Sequence, residues 1–189
     1  MGNAMSLLRT NYRFTVAEYE QMIEFGILDE NRPVELIRGE IVTKMPIGDR
    51  HAATVDRCNR IFNRKIGDRA IVRVQNPIRF PDSEPETDIS LVQPHDDFYE
   101  SAKPQPADVF LLLEVSDTSI EYDRDVKGPL YAQANIVEYW ILNLNDDALE
   151  VYRQPQSNGT YADVRILRRG DQIEIAALPG VIVQVAELL

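Results

Sequence analysis

The chain has a single cysteine, Cys58, among its 189 residues. One thiol cannot form an internal disulfide, which suits a reducing, cytoplasmic setting. Long hydrophobic runs are also missing. None approaches the roughly 20 residues that a membrane span requires, so no membrane partner is expected. The opening MGNAMS has neither the basic nor the apolar region of a secretory signal, and a cytoplasmic protein is the expectation. Positive charge is scarce: 20 lysines and arginines face 31 aspartates and glutamates, giving a formal net charge of −11. No global basic field would gather nucleic acid, so contact with DNA or RNA would need a local basic patch, a bound metal or a partner. The sequence shows no internal repeat, low-complexity tract or long linker.

What is present is enough for a core. With 44% hydrophobic residues, the chain reads as a single domain over 12–189, with a core at about 51–144 and a C-terminal β extension at about 148–189. TVAEYEQMIEFG (15–26) starts a helix, with Thr15 as N-cap, Glu18 as capping-box partner and Gly26 as stop. VELIRGEIV (34–42) predicts a hairpin turning at Arg38 and Gly39. Val55, Cys58, Phe62 and Ile66 mark one apolar face of a helix from about His51 to Ile66. AIVRVQNPIRF (70–80) reads as a strand broken near Asn76-Pro77. After it come strands at TDISLV (87–92) and VFLLLEVSD (109–117), a short helix after Pro129, and a buried strand at EYWILNL (138–144). The order helix, strand, strand, strand, helix, strand predicts an α/β fold, a mixed central sheet flanked by helices, because the middle strands are joined without a helix.

The chemistry centres on two acids. Glu114 ends the apolar run Val109–Leu113, in a strand that reads as buried on both faces. An ionised carboxylate there costs several kcal/mol unless a cation or hydrogen-bond donors compensate. Asp88 opens the preceding apolar strand. Two neighbouring strands that each bring a carboxylate to a common edge would make a divalent-cation site, with the Val115 carbonyl nearby. Lys127, at the entry to the next helix, adds a cation. Two carboxylates and a lysine are what metal-assisted phosphodiester hydrolysis needs. The plainer alternative is a turn-capping Asp88 and a Glu114 paired with an arginine. Two adjacent carboxylates also repel, so at least one should titrate above its ordinary range.

TDISLV, FLLLEVSD, DRDVKGPLYAQANIVEYWIL and VELIRGEIV together resemble the Uma-type restriction-endonuclease family of the PD-(D/E)XK nuclease superfamily, over about residues 12–153. The resemblance implies the restriction-endonuclease-like fold: a mixed sheet flanked by helices, with an N-terminal helix and hairpin. It also implies cleavage of DNA dependent on Mg²⁺, with Mn²⁺ as a substitute, and Asp88 and Glu114 as metal ligands. Thr87 stands where the superfamily places proline, and Ser116 occupies the lysine position of its (D/E)XK element. The family is thought to have moved that lysine to the following helix, where Lys127 matches. Many such nucleases pair to cut both strands, which leaves room for a homodimer.

Three residues are candidate auxiliaries. His51 is either a cap or packing residue or a substrate or metal contact. Gln75 either reaches the site from a strand end or bonds backbone at an edge. Glu35, in an ELI-x-GE block that recurs in the family, either completes the acidic cluster or faces solvent. Arg57, Arg60, Arg64, Lys65 and Arg69 around the second helix form either a phosphate-binding face or a solvated surface; Arg165, Arg168 and Arg169 are a weaker basic group. Tyr131 and Trp140 read as packing. Two other functions stay open: a nuclease fold without catalysis that serves as an interaction module, and a metal-dependent hydrolase of small phosphate esters.

Overall fold

The computed structural model describes residues 11–28 and 33–189. They fall into two compact units, one drawn from the chain up to Lys44 with Pro81–Glu84, the other from Met45–Phe80 with Pro85–Leu189.

In the first unit the capping box forms as its spacing predicts. The Glu18 N–H donates to Thr15 Oγ1 at 3.2 Å and the Thr15 N–H returns a bond to Glu18 Oε2 at 2.8 Å. Helix α1 (Val16–Glu24) follows, and Gly26 beyond it has φ +66°. Strands β1 (Val34–Ile37) and β2 (Glu40–Thr43) pair antiparallel around Arg38 and Gly39, whose φ values of +50° and +75° suit a tight hairpin turn. Glycine is required there on a second count: a Cβ on Gly39 would lie 2.9 Å from Arg13 Cβ. Val16, Tyr19 and Leu36 form this unit's small core.

In the second unit, helix α2 (Asp49–Ile66) carries Asp49 in its first turn and Arg64 and Lys65 in its last, both favourable to the helix dipole. Strands β3 (Ile71–Pro77), β4 (Glu86–Val92) and β5 (Val109–Ser116) pair antiparallel in succession. Then come helix α3 (Ile120–Tyr122), a π-helical turn (Asp123–Lys127) and helix α4 (Gly128–Gln133). This helical crossover lets strand β6 (Glu138–Asn143) lie parallel to β5, the one parallel pairing in the sheet. Strands β7 (Ala148–Pro155) and β8 (Tyr161–Leu167) extend the same sheet, giving six strands in the order β3-β4-β5-β6-β7-β8. The hairpin β9 (Gln172–Glu174) and β10 (Ile182–Gln184) and helix α5 (Val185–Leu188) complete the chain.

The stripe Val55, Cys58, Phe62 and Ile66 is buried and belongs to one core with Ile89, Leu91, Leu111, Leu113, Val115, Trp140 and Leu142 of the sheet. Alternation along β5 turns Leu112, Glu114 and Ser116 to the opposite face. On that side the rings of Tyr131, Tyr139, Tyr152 and Tyr161 contact one another in series. The break in β3 falls one residue earlier than its proline suggests. Gln75 has φ +50°, whereas Asn76 and Pro77 still pair with Thr87 and Glu86. Proline is tolerated because β3 is an edge strand. Among the described residues no helix is long and apolar enough to cross a membrane.

The core makes a direct prediction. Leu113 is fully buried in the central sheet. Leu113→Ala should lower unfolding stability by about 2–5 kcal/mol in urea titrations. Phe98→Ala, at a side chain 70% exposed, should change it by no more than about 0.5 kcal/mol.

Candidate active site

The β4–β5 register sets the geometry. Ile89 pairs with Leu113, and one step further along the strands Asp88 stands opposite Glu114. The Asp88 N–H approaches Glu114 Oε2 at 3.4 Å, and the Val115 N–H donates to Asp88 Oδ2 at 2.8 Å. The side chain of Glu114 is 4% exposed, and its Oε1 accepts from Lys127 Nζ at 3.0 Å and from the Tyr131 hydroxyl at 2.9 Å. Lys127 also donates to the Glu86 carbonyl at 3.5 Å. Lys127 and Tyr131 reach one oxygen because residues four apart share a helix face. Asp88, Glu114, Val115 and Lys127 therefore come together at one end of the paired strands.

His51 joins them. It lies in the first turn of α2, and its Nε2 is 3.0 Å from Asp88 Oδ1. The bond to Asp88 raises the imidazole pKa above its ordinary value; burial opposes this, and the charges of Asp88 and Asp123 and a backbone bond to Val115 add to the rise. At Asp88 burial pushes the carboxyl up, but His51, the Val115 N–H and Lys127 outweigh it and hold the group below the usual carboxylate range. Mutual repulsion of the two acids had suggested an upward shift. At Asp88 the direction is reversed, because cationic and N–H donors surround it.

Gln75 and Glu35 are placed differently. Continuing the β3–β4 register from Val74↔Ile89 to Asn76↔Thr87 sets Gln75 opposite Asp88. Its left-handed backbone interrupts the ladder at that step. A non-glycine residue in this conformation costs of order 1–3 kcal/mol, and such residues cluster at functional sites. Glu35 is buried and belongs to the hairpin of the first unit.

Two features were not singled out from sequence. Tyr131 had been assigned to packing alone, yet its hydroxyl holds Glu114; the i, i+4 spacing from Lys127 is the signal that could have shown it. Asp123 is buried, and its Oδ2 accepts from Ser116 Oγ at 2.5 Å and Ser119 Oγ at 2.6 Å. Ser116, at the lysine position of the superfamily element, thus serves as a donor to Asp123.

Four of the five basic residues around α2 are engaged within the chain, while Arg60 is exposed. Arg57 donates to the Leu188 carbonyl at 3.1 Å and Arg69 to the Pro179 carbonyl at 3.0 Å, while Lys65 and Arg64 pair with Glu187 at 2.8 and 3.4 Å. These four clamp the C-terminal segment onto the helix. The second basic group is paired too: Arg165 with Asp163, Arg169 with Asp147, and Arg168 with the Asp146 carbonyl. Cys58 offers no nucleophile, since burial pushes its thiol up to about 12.

The site has two carboxylates, hard oxygen donors of the kind that hold Mg²⁺ or Mn²⁺ while leaving part of the coordination to water. No cluster of three or more histidine, cysteine, aspartate or glutamate side chains is disposed to hold a metal among the described residues. A site here would fit an ion that keeps several waters, and would not fit a fully protein-ligated one.

The structure superposes on a solved one described as a putative nuclease belonging to DUF820 from Anabaena variabilis ATCC 29413. The TM-score is 0.70 at 15% identity, covering 93% of this chain and 97% of that chain. No curated protein matches the sequence. Residues 16–186 match the family model Uma2, "Putative restriction endonuclease", and the chain belongs to that family. Family and fold support a nuclease, hence a hydrolase, of a kind that generally uses divalent metals.

The His51–Asp88 pair yields a titration test. A raised folded-state pKa means that the stability contributed by His51 is complete below its unfolded value of about 6.5 and is lost as pH rises through the folded value. In chelator-treated protein the imidazole resonances of His51 should titrate above 6.5. Asp88→Asn should move the midpoint down toward the ordinary value. A wild-type midpoint at or below it would contradict the pairing.

Proposed function

We propose that the protein is a metal-dependent endonuclease that hydrolyses DNA phosphodiester bonds at the Asp88–Glu114–Lys127 site. The observation that carries this reading is the meeting of Lys127 Nζ with Glu114 Oε1 at 3.0 Å beside Asp88, on strands joined at Asp88 Oδ2 and the Val115 N–H at 2.8 Å. Asp88, Glu114 and the Val115 carbonyl would hold Mg²⁺ or Mn²⁺. The ion would supply charge for the phosphate and acidity for a water. The Lys127 ammonium, fixed by Glu114, sits where it can orient the attacking water and offset charge gathering on the phosphate oxygens. As the water oxygen bonds to phosphorus, the bond to the leaving sugar oxygen breaks; the water gives a proton to solvent and the leaving oxygen takes one from solvent. Tyr131 keeps the Glu114 carboxylate in one orientation, and His51 does the same for Asp88. A second reading, hydrolysis of a small phosphate ester, draws support from Arg57, Arg64 and Lys65 of α2 being bonded within the chain.

Purified protein with Mg²⁺ or Mn²⁺ should nick or cut plasmid DNA, and Asp88→Ala should abolish cutting. Lys127→Met, which keeps the apolar stem, should slow cutting by about 100- to 10,000-fold while the metal-induced rise in melting temperature persists. Loss of the pairing cation also leaves Glu114 buried beside fewer donors and should cost about 3–5 kcal/mol of stability, so rates are compared well below the variant's melting point. Full activity in Lys127→Met would overturn the role given to the lysine. Cleavage of small phosphoesters but no nucleic acid would favour the second reading.

A further inference from the structure

The two edges of the six-stranded sheet are built differently. At β3 the edge is interrupted by the left-handed Gln75 and closed by Pro77, both of which discourage another strand from adding. At β8 the seven residues YADVRIL contain neither proline nor glycine, have no left-handed residue, and pair with β7 alone. Val164 and Ile166 on this strand are 51% and 60% exposed, large values for apolar side chains on a regular strand. Between and beside them lie one acid and one base, Asp163 and Arg165, whose side chains are 22% and 56% exposed and pair with each other at 2.8 Å.

We propose that this edge is a homodimer interface, in which β8 pairs antiparallel with β8 of a second copy about a twofold axis at Val164. The sequence is self-complementary in that register and in no other centred on an apolar residue of the strand. Asp163 faces Arg165 of the second copy, and symmetry repeats the contact. Ala162 faces Ile166, Tyr161 faces Leu167, and Val164 meets its own counterpart. Directly opposed residues interact most strongly in an antiparallel pair, so both opposite-charge contacts and the apolar ones fall where they count. The twofold makes the contact isologous and closed, which limits it to a dimer with the two sheets continuous. A ladder of this length is at the small end of stable interfaces, so the dimer forms in a concentration-dependent way. It does not depend on the assignment of the Asp88–Glu114 site.

Sedimentation equilibrium of the full chain, from micromolar to submillimolar concentration, tests this. The wild type should dimerise, with hydrogen exchange in residues 161–167 slowing as concentration rises. Asp163→Arg or Arg165→Asp alone sets like charges opposite each other twice per dimer and should weaken association about tenfold. The double variant D163R/R165D restores both contacts and should return association close to wild type. Val164→Lys should give a monomer, with circular dichroism confirming that each variant is folded. A wild type that stays monomeric across the range overturns the proposal. So does a dimer indifferent to the single swaps, or a double variant as weak as the singles.

Discussion

A carboxylate buried at the end of a strand is the constraint from which the rest of the second unit follows. Glu114 lies between fully apolar neighbours, and water reaches almost none of its side chain. Left alone, such a charge would oppose folding by several kcal/mol. The chain answers with two donors on one oxygen, Lys127 and Tyr131, both from the crossover that follows β5. That crossover is also the segment that makes β5 and β6 parallel. The topology of the sheet and the neutralisation of its central acid therefore rest on the same stretch of chain.

The same solution recurs on both faces of the sheet, at Glu138 on the side of Trp140 and at Glu150 on the side of Glu114. Glu138 is fully buried and accepts from the Trp140 indole at 2.8 Å, from Arg153 Nε at 2.9 Å and from the Ala176 N–H at 2.8 Å. Glu150 receives Arg124, Tyr152 and Asn143; burial works against its ionised form, but these donors prevail and its pKa falls below the ordinary range. Each of these three glutamates is matched by one basic residue, so the pairing leaves the net charge of −11 to the rest of the chain. Scarcity of lysine and arginine remains real, because several of those residues are spent on these acids and on the C-terminal segment.

Local signals in the sequence were the most legible. The Thr15–Glu18 box, the Arg38-Gly39 turn and the Val55–Ile66 stripe each depend on residues close in the chain, and each appears at its predicted place. The mixed sheet flanked by helices was legible because strand order and missing crossovers limit topology. What escaped were long-range pairings. Nothing near Arg57 or Lys65 announces that a segment more than a hundred residues away will take their hydrogen bonds. Gln75 is similar: proline gave the obvious sign of a break, whereas the left-handed turn is imposed by the register with β4. Tyr131 looked like core because it is core, with its ring stacked on Phe80 at 5.8 Å, and its hydroxyl does a second job.

The π-helical turn from Asp123 to Lys127 holds one residue more than an α-helical turn would. It closes on the Asp123 carbonyl, which takes the Gly128 N–H and the Tyr139 hydroxyl, the latter at 3.2 Å. Each residue of a helix advances the side-chain direction by about 100°. The extra residue therefore acts as a phase adjuster. It lets Asp123 face the strand-end serines while Lys127 and Tyr131, on the next turn, face Glu114. Shortening the segment by one residue would keep every one of these side chains in the chain and still rotate one group away from its partner. In this region the spacing of residues carries as much information as their identity.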